Sequence, residues 1–284
     1  MSKIAIITDT DSSFSLEFAK SKSIQMVPIM VQFGDTSYRD IYDIDNPFTF
    51  SKIDHEGKLP TTSAPSPGQF IEAYKTAFDN GADSVLCFTV SGEVSATYSA
   101  ALNACASFPG KDITVVDTRS LTMQQGFMTL AAADAVSKGA SKQEAINAAM
   151  DVRDRSQMFA ALATLKYLAM SGRVGHLAAG VANILNVKPI LTIRNGKLDL
   201  LEKVRTQSKA WHRTIELTKE SAAEREIERM CILHVNSAEA AAQFEKLIRS
   251  ELNCPSELTI EELGPGLSIH SGVGLVGVVT VFSK

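Results

Sequence analysis

Residues 84–98 read SVLCFTVSGEVSATY, and the first half of the chain repeats the pattern that this stretch begins. Its first seven residues form an apolar run with several β-branched side chains, which predicts a buried strand. Comparable runs lie at 4–8, 26–31 and 113–117, and helical patterns separate them. Strands that alternate with helices are typical of βαβ units, so the sequence predicts a three-layer α/β/α domain with a parallel sheet.

Two helices of this half carry signals at their first residues. Ser66-Pro67-Gly68-Gln69 combines an N-cap serine, a proline at the first helical position and the glutamine of a capping box. Ser141-Lys142-Gln143-Glu144 supplies a second capping box. The sequence therefore predicts one helix that closes at Asn80-Gly81 and another that runs through Arg153.

The second half has a different pattern. Asn195-Gly196 separates apolar runs at 189–193 and 197–204, which predicts a hairpin with a two-residue turn. A helix is predicted from Asn236 to Leu252, and the remaining predicted strands are 230–235, 256–262 and 275–282. Hairpin and βαβ patterns together indicate a smaller α+β domain with a mixed sheet. We therefore predict one domain at 1–158 and a second at 159–284.

Composition narrows the function classes. The chain has 284 residues, 45% of them apolar and 21% charged, with a formal net charge of -4, which is typical of a soluble globular protein. No stretch approaches the roughly 20 apolar residues that span a bilayer, so we expect no stable membrane insertion and a cytoplasmic location. The four cysteines form no CxxC pair and the five histidines show no zinc spacing, which predicts reduced thiols and no metal site.

Charge is distributed unevenly along the chain. Residues 153–213 contain eleven lysines and arginines against three acids, although the whole protein is acidic. A basic segment in an acidic protein indicates either a local anionic partner or merely a solvated face. General nucleic-acid binding is not expected, because the acidic remainder would repel the phosphate backbone.

Asp9-Thr10-Asp11 follows the first predicted strand directly. A DxD pattern there can hold Mg²⁺ and supply a nucleophilic aspartate, as in haloacid-dehalogenase-like phosphatases. The alternative is that Asp11, Ser12 or Ser13 caps the next helix. Because the fourth strand ends in the lone Asp117, we expect the capping role and keep a DxD-dependent small-molecule phosphatase as the second hypothesis.

Two hydroxyl-rich segments precede predicted helices at the carboxyl ends of strands. They are Thr61-Thr62-Ser63-Ala64-Pro65-Ser66 and Ser91-Gly92-Glu93-Val94-Ser95-Ala96-Thr97-Tyr98. Helix N-termini attract anions through unpaired N–H groups, and neighbouring hydroxyls donate further hydrogen bonds. The sequence therefore predicts an anion pocket at this edge of the sheet.

A glycine-rich segment, residues 264–274, contains His270 in what we expect to be a turn that approaches a ligand closely. The chain has no Walker loop, no strand-linked GxGxxG and no GxSxG elbow. Direct ATP or NAD binding and serine-hydrolase chemistry are therefore not expected, and no cofactor is predicted.

These segments together resemble the DegV family of bacterial fatty-acid-binding proteins. The resemblance extends over the whole chain and depends on the order of its motifs. They are ITDTDSS at 7–13, Asp40, TTSAPS at 61–66, SGEVSATY at 91–98, VVDT at 115–118, LKYLAMSGR at 165–173, VKPIL at 187–191, KVR at 203–205 and GPGLSIHSGVG at 264–274.

The resemblance implies a non-enzymatic carrier that holds one long-chain fatty acid in an apolar tunnel between its domains. Such a carrier presents the fatty-acid carboxylate to a separate ATP-dependent fatty acid kinase and takes the acyl phosphate onward to phospholipid synthesis. By correspondence with the family, the carboxylate-binding residues are Thr62, Ser63, Ser95 and His270. Residues of a secondary pocket or of the kinase-docking face are Thr97, Arg173, Arg205 and Gly272. No catalytic residue is implied.

Overall fold

The computed structural model describes residues 3–172 and 187–284, and the chain forms two compact units. The first unit comprises Met1–Ile44 and Thr62–Asp154. The second comprises Asp45–Thr61 and Arg155–Lys284. Segment 45–61 thus belongs to the second unit, although the predicted boundary at 158 places it in the first domain. No helix in the described part of the chain is both long and apolar enough to cross a bilayer.

The strands of the described residues are, in chain order, β1 (Ile4–Asp9), β2 (Ile24–Val27), β3 (Met30–Phe33), β4 (Thr36–Arg39), β5 (Thr61–Ser63), β6 (Ser84–Thr89), β7 (Asp112–Asp117), β8 (Ser156–Ala161), β9 (Lys188–Arg194), β10 (Lys197–Val204), β11 (Ile227–His234), β12 (Leu258–Glu262) and β13 (Val276–Phe282). The helices of the same residues are α1 (Leu16–Ser21), α2 (Asn46–Glu56), α3 (Pro67–Asp79), α4 (Thr97–Cys105), α5 (Thr122–Ser137), α6 (Lys142–Asp154), α7 (Lys166–Met170), α8 (Gln207–Ala222), α9 (Ala238–Glu251) and α10 (Pro265–Ser271).

The first unit contains a four-stranded parallel sheet in the order β2-β1-β6-β7. On one face, alternate residues of β6 such as Val85 and Cys87 pack with Phe70 and Tyr74 of α3 and with the alanines of α4. The other face of β1 and β6 contacts α5, which in turn packs against α6. Alternation of side chains along each strand therefore buries both faces of the sheet, as the predicted three-layer arrangement requires.

The predicted strand at 26–31 is wrong as a single element. It is interrupted at Pro28, and its two parts join different sheets: β2 lies at the edge of the parallel sheet, whereas β3 pairs with β4 and β5 in a separate three-stranded sheet. Proline has no N–H to donate to a ladder and restricts the residue before it, which favours a break in the strand. The N–H of Ile29, after the break, donates to the Thr10 hydroxyl at 3.1 Å.

Both predicted capping boxes are confirmed. The Ser66 hydroxyl accepts from the Gln69 N–H, and the Gln69 side chain accepts from the Ser66 N–H. Ser141 and Glu144 make the same reciprocal pair ahead of α6. The cap expected at Asp11, Ser12 or Ser13 is wrong, because α1 is capped by the Ser15 hydroxyl, which accepts from the Phe18 N–H.

The second unit contains a six-stranded mixed sheet in the order β10-β9-β8-β13-β11-β12. The predicted hairpin is confirmed: β9 and β10 are antiparallel, and Asn195 and Gly196 both have positive φ, as a type I′ turn requires. Ile215 of α8 and Phe244 and Ile248 of α9 pack on alternate residues of β11 and β13 to form the core.

Two elements of this unit differ from the sequence prediction. Residues 265–271 form α10, a short helix with a proline in its first turn, where a turn was expected. Asn236 does not begin the later helix, since α9 starts at Ala238 after the N-cap position of Ser237. Segment 45–61 supplies α2, and the Asn46 amide donates to the Leu263 carbonyl oxygen at 2.7 Å, which ties α2 to the chain just before α10.

Candidate functional site

Polar side chains collect at the carboxyl edge of the parallel sheet. Because β1, β6 and β7 are parallel, their last residues Asp9, Thr89 and Asp117 lie at one edge. The residues that follow them, including Thr10, Ser91 and Thr118, are buried. Because buried polar groups need hydrogen-bond partners, we expect these side chains to bond to one another and to the neighbouring backbone.

The segment 90–97, which we call the β6–α4 turn, connects β6 to α4 and contains a pair of hydroxyls. The hydroxyl oxygens of Ser95 and Thr97 are 2.8 Å apart, and the Thr97 N–H donates to the Ser95 hydroxyl at 3.3 Å. Ser95 is half-buried and Thr97 is buried. The structure therefore brings together two of the residues selected by resemblance, at the first turn of a helix.

Helices α3 and α4 differ in how their N-termini are satisfied. At α3 the capping box of Ser66 and Gln69 occupies N–H groups that the sequence analysis expected to be available to an anion. At α4 the N-cap residue is Ala96, which has no capping side chain, and the Ser95 hydroxyl accepts from the N–H of Thr97, the first residue of the helix. The N–H groups that follow Thr97 in the first turn have no side-chain cap and are available to an anion. The geometry therefore favours the start of α4 over the start of α3.

Thr62 and Ser63 lie on β5 in the three-stranded sheet of the same unit. Thr62 is half-buried and Ser63 is exposed. Both residues thus precede α3 by several positions and belong to a strand. Their proposed contact with a carboxylate stays a prediction.

Asp9 is fully buried, and both of its carboxylate oxygens accept hydrogen bonds. Oδ2 accepts from the Val90 N–H at 2.8 Å, and Oδ1 accepts from the Asp11 N–H and from Nε2 of Gln125, each at 3.0 Å. Burial raises the pKa of Asp9 to about 6, the three N–H donors act in the opposite direction, and the Asp40 carboxylate adds to the rise. Gln125 had no local sequence signal, because it lies inside α5 and meets Asp9 only in the fold.

The DxD pattern does not make a metal centre in the described residues, where no group of three or more His, Cys, Asp or Glu side chains is arranged to hold an ion. Asp9 caps the short 3-10 turn Thr10–Ser12 by accepting from the Asp11 N–H. A carboxylate that is buried and bonded through both oxygens is poorly placed to attack a phosphate ester.

The remaining predicted residues belong to the second unit or lie outside the described residues. His270 is half-buried in the last turn of α10, and Gly272 is the residue that ends this helix. Arg205 is exposed between β10 and α8. Arg173 lies outside the described residues.

The basic segment is partly neutralised by ion pairs within the second unit. Arg155 pairs with Glu228 and Arg194 pairs with Asp199. Arg213 contacts three carboxylates, and their hydrogen bonds raise its pKa; they belong to Glu202, Glu216 and Glu220. These pairs reduce the positive charge that the sequence predicts for this region.

Comparison with known proteins settles the family. Residues 3–283 match the family model described as DegV, a family of uncharacterised proteins. A DegV domain-containing protein of Halalkalibacterium halodurans is 31% identical over 284 residues, which is 100% of both chains. The chain belongs to the DegV family.

Solved DegV structures share the fold. A DegV family protein from Thermus thermophilus, described as binding fatty acid, has a TM-score of 0.92 and 29% identity, covering 99% of this chain and 100% of its own. DegV from Bacillus subtilis, a fatty acid binding protein, has a TM-score of 0.89 and 27% identity, covering 100% of both chains. The predicted combination of a parallel sheet and a mixed sheet is therefore the DegV architecture.

Proposed function

We propose that this DegV protein binds one long-chain fatty acid in an apolar tunnel and presents its carboxylate to a separate ATP-dependent fatty acid kinase. The resulting acyl phosphate then passes to phospholipid synthesis. The protein itself acts as a carrier without catalytic residues, and it needs no cofactor. The fatty-acid binding described for the Thermus thermophilus and Bacillus subtilis proteins supports the ligand class.

The observation that carries the proposal is the hydroxyl pair at the start of α4, where the N-cap residue is Ala96. A carboxylate removed from water must be hydrogen-bonded, or its desolvation costs several kcal/mol. The Ser95 and Thr97 hydroxyls are hydrogen-bonded to each other at 2.8 Å, so the hydroxyl that accepts this bond keeps its own proton for an anion. Helix α4 adds the first-turn N–H groups after Thr97 and the positive end of its dipole. This combination suits a small anion such as a fatty-acid head group.

Thr62, Ser63 and His270 complete the proposed carboxylate set through the family resemblance. By the same resemblance, His270 is proposed to take part in recognising the carboxylate. A general base is unnecessary there, because a carboxylate is already ionised at neutral pH.

Ser95→Ala is expected to weaken fatty-acid binding by about 1.5 to 3 kcal/mol, because it removes one charge-assisted hydrogen bond to the carboxylate. The measurement is isothermal titration of delipidated protein with palmitate. Ser107→Ala, at an exposed serine just after α4, is the matched control and should bind as the wild type does. Equal palmitate affinity in Ser95→Ala and the wild type would place the head group elsewhere.

The kinase part of the proposal draws on the exposed Arg205. Charge-steered association slows as salt rises, so acyl-phosphate formation with the partner kinase should decrease with ionic strength. Arg205→Glu should slow this reaction severalfold and leave palmitate affinity unchanged. Lys20→Glu, an exposed reversal on α1, is the charge-matched control. Parallel loss of palmitate binding and phosphorylation would instead make Arg205 a ligand-binding or folding residue.

The DxD phosphatase is not favoured by any observation at Asp9. The Asp9 carboxylate is fully buried, and its oxygens accept hydrogen bonds from three N–H groups. Magnesium-dependent turnover of a generic phosphate ester, abolished by Asp9→Asn, would overturn the carrier proposal.

A further inference from the structure

Three consecutive N–H groups at the start of the β6–α4 turn donate to neighbouring segments. The Val90 N–H donates to Oδ2 of Asp9 at 2.8 Å, and the Ser91 N–H donates to the Ser120 carbonyl oxygen at 2.8 Å. The Gly92 N–H donates to Oδ1 of Asp117 at 3.2 Å. The acceptors come from the ends of β1 and β7 and from the loop after β7, on both sides of β6.

Ser91 connects these hydrogen bonds to Ser95. Its carbonyl oxygen accepts from the N–H groups of both Val94 and Ser95 at 3.1 Å, and its hydroxyl accepts from the Glu93 N–H at 3.3 Å. A shift of Ser91 therefore moves the backbone of Ser95 directly. The position of the Ser95 hydroxyl depends on what fixes residues 90–92.

Both carboxylates are themselves fixed. Asp9 is bound on its other oxygen by Gln125, which is also fully buried. Asp117 is half-buried, and the same Oδ1 that accepts from Gly92 also accepts from the Arg119 N–H at 2.8 Å. The absence of a side chain at Gly92 permits the close approach, since a Cβ there would lie 3.2 Å from Oδ2 of Asp117.

We infer that Asp9 and Asp117 are positioning residues that hold the β6–α4 turn in the geometry that presents Ser95 to an anionic ligand; the role in ligand binding rests on the proposed function. These residues come from the ITDTDSS and VVDT motifs, to which the carrier function assigned no role. The first motif delivers a carboxylate to the N–H of Val90, directly before the SGEVSATY motif, and the second delivers one to the N–H of Gly92 within it. Charge-assisted bonds of this kind are stronger than those to neutral acceptors, and they restrain the turn against displacement.

A carboxylate beside an anion site repels the anion. The charge of Asp117 and the hydrogen bonds that its oxygen accepts should therefore have opposite effects on palmitate binding, and variants can separate them. If the charge of Asp117 matters only through repulsion, removing it should strengthen palmitate binding. If its oxygen positions the turn, removing the oxygen should weaken binding. Asp117→Asn keeps the Oδ1 acceptor that serves both Gly92 and Arg119, whereas Asp117→Ala loses it.

The test compares Asp117→Ala, Asp117→Asn and the matched control Asp112→Ala, at the opposite end of β7, where Asp112 pairs with Lys142. Each delipidated variant is titrated with palmitate, its amide NMR signals at Gly92 and Ser95 are recorded, and its thermal midpoint is measured. We expect Asp117→Ala to lose about fivefold in affinity, less than Ser95→Ala, because Asp117 acts on the ligand only through the turn. Its Gly92 and Ser95 signals should shift, and Asp117→Asn should restore both properties. Asp112→Ala should resemble the wild type.

Asp9→Asn should not be rescued in the same way. Asp9 accepts through both oxygens, so an asparagine places its NH₂ group against an N–H donor. Unchanged Gly92 and Ser95 signals in Asp117→Ala overturn the inference, and so does full palmitate affinity despite shifted signals. An affinity loss in Asp112→Ala as large as that in Asp117→Ala also overturns it. If the wild type binds no palmitate, the proposed function fails, while the amide signals of the three variants still test whether Asp117 holds the turn.

Discussion

Replacing Gly272 with alanine is expected to lower the free energy of unfolding by about 3 kcal/mol, through backbone strain and steric overlap together. Gly272 has φ 78° and ψ 163°, a region that is essentially restricted to glycine. A Cβ at this position would also overlap the ring of Tyr167, which packs edge-on against Phe50. The thermal midpoint should fall by about 5 °C, since a chain of this size has an unfolding entropy of about 0.6 kcal/mol/K.

Gly57→Ala is the matched control in the same unit. Gly57 ends α2 with φ 66°, but nothing lies within 4 Å of the position a Cβ would take. Only the left-handed backbone is then penalised, at about 1 kcal/mol. In a Tyr167→Ala background, Gly272→Ala should cost less unfolding free energy than it does in the wild type, because the new Cβ no longer overlaps the Tyr167 ring. Equal losses at Gly57 and Gly272, or strictly additive effects with Tyr167→Ala, would contradict the packing explanation.

Protonation of Asp9 is expected to stabilise the protein by about 2 kcal/mol between pH 7.5 and pH 4.5. Burial raises the pKa of this carboxyl from 3.8 to about 6. The folded state therefore binds the proton more tightly than the unfolded chain does. The stabilising contribution is fully present below pH 3.8 and is lost as the pH rises through 6. Charged or titratable groups near Asp9 are Asp11, Asp40 and Cys87.

The measurement is urea denaturation of the wild type and Asp9→Asn across this pH range. Between pH 7.5 and pH 4.5, the unfolding free energy of the wild type should rise by about 2 kcal/mol relative to that of Asp9→Asn. Glu144→Gln is a control of opposite sign, because the Ser141 N–H and hydroxyl lower the pKa of Glu144. Its wild-type contribution is present above pH 4.5 and is lost as the pH falls further, so the Glu144→Gln measurements extend below pH 4.5. A pH-independent difference at Asp9 would show that its folded and unfolded pKa values agree.

The sequence predicted correctly those elements that are determined by a few adjacent residues. The capping boxes at Ser66 and Ser141 and the hairpin at Asn195 are confirmed, since each depends on adjacent residues. The glycine-rich segment near His270 misled the prediction because a proline in the first turn can start a helix. Assignment of segment 45–61 to the second unit depends on contacts such as that of Asn46 with Leu263, 217 positions away.

The same distinction applies to the candidate site. The Ser95 and Thr97 pair was predictable, because both hydroxyls lie in one short segment after a predicted strand. The bond from Val90 to Asp9 joins residues 81 positions apart, and Gln125 approaches Asp9 from inside a helix. Such contacts follow from strand order, which the alternation of strands and helices does not specify.

Mass spectrometry of the purified protein under native and denaturing conditions shows whether it carries a fatty acid. We expect the native mass to exceed the chain mass by one long-chain fatty acid per chain. The excess should disappear on denaturation and be smaller in Ser95→Ala. A native mass equal to that of the chain alone, from lipid-replete cells and after incubation with palmitate, would contradict the carrier proposal.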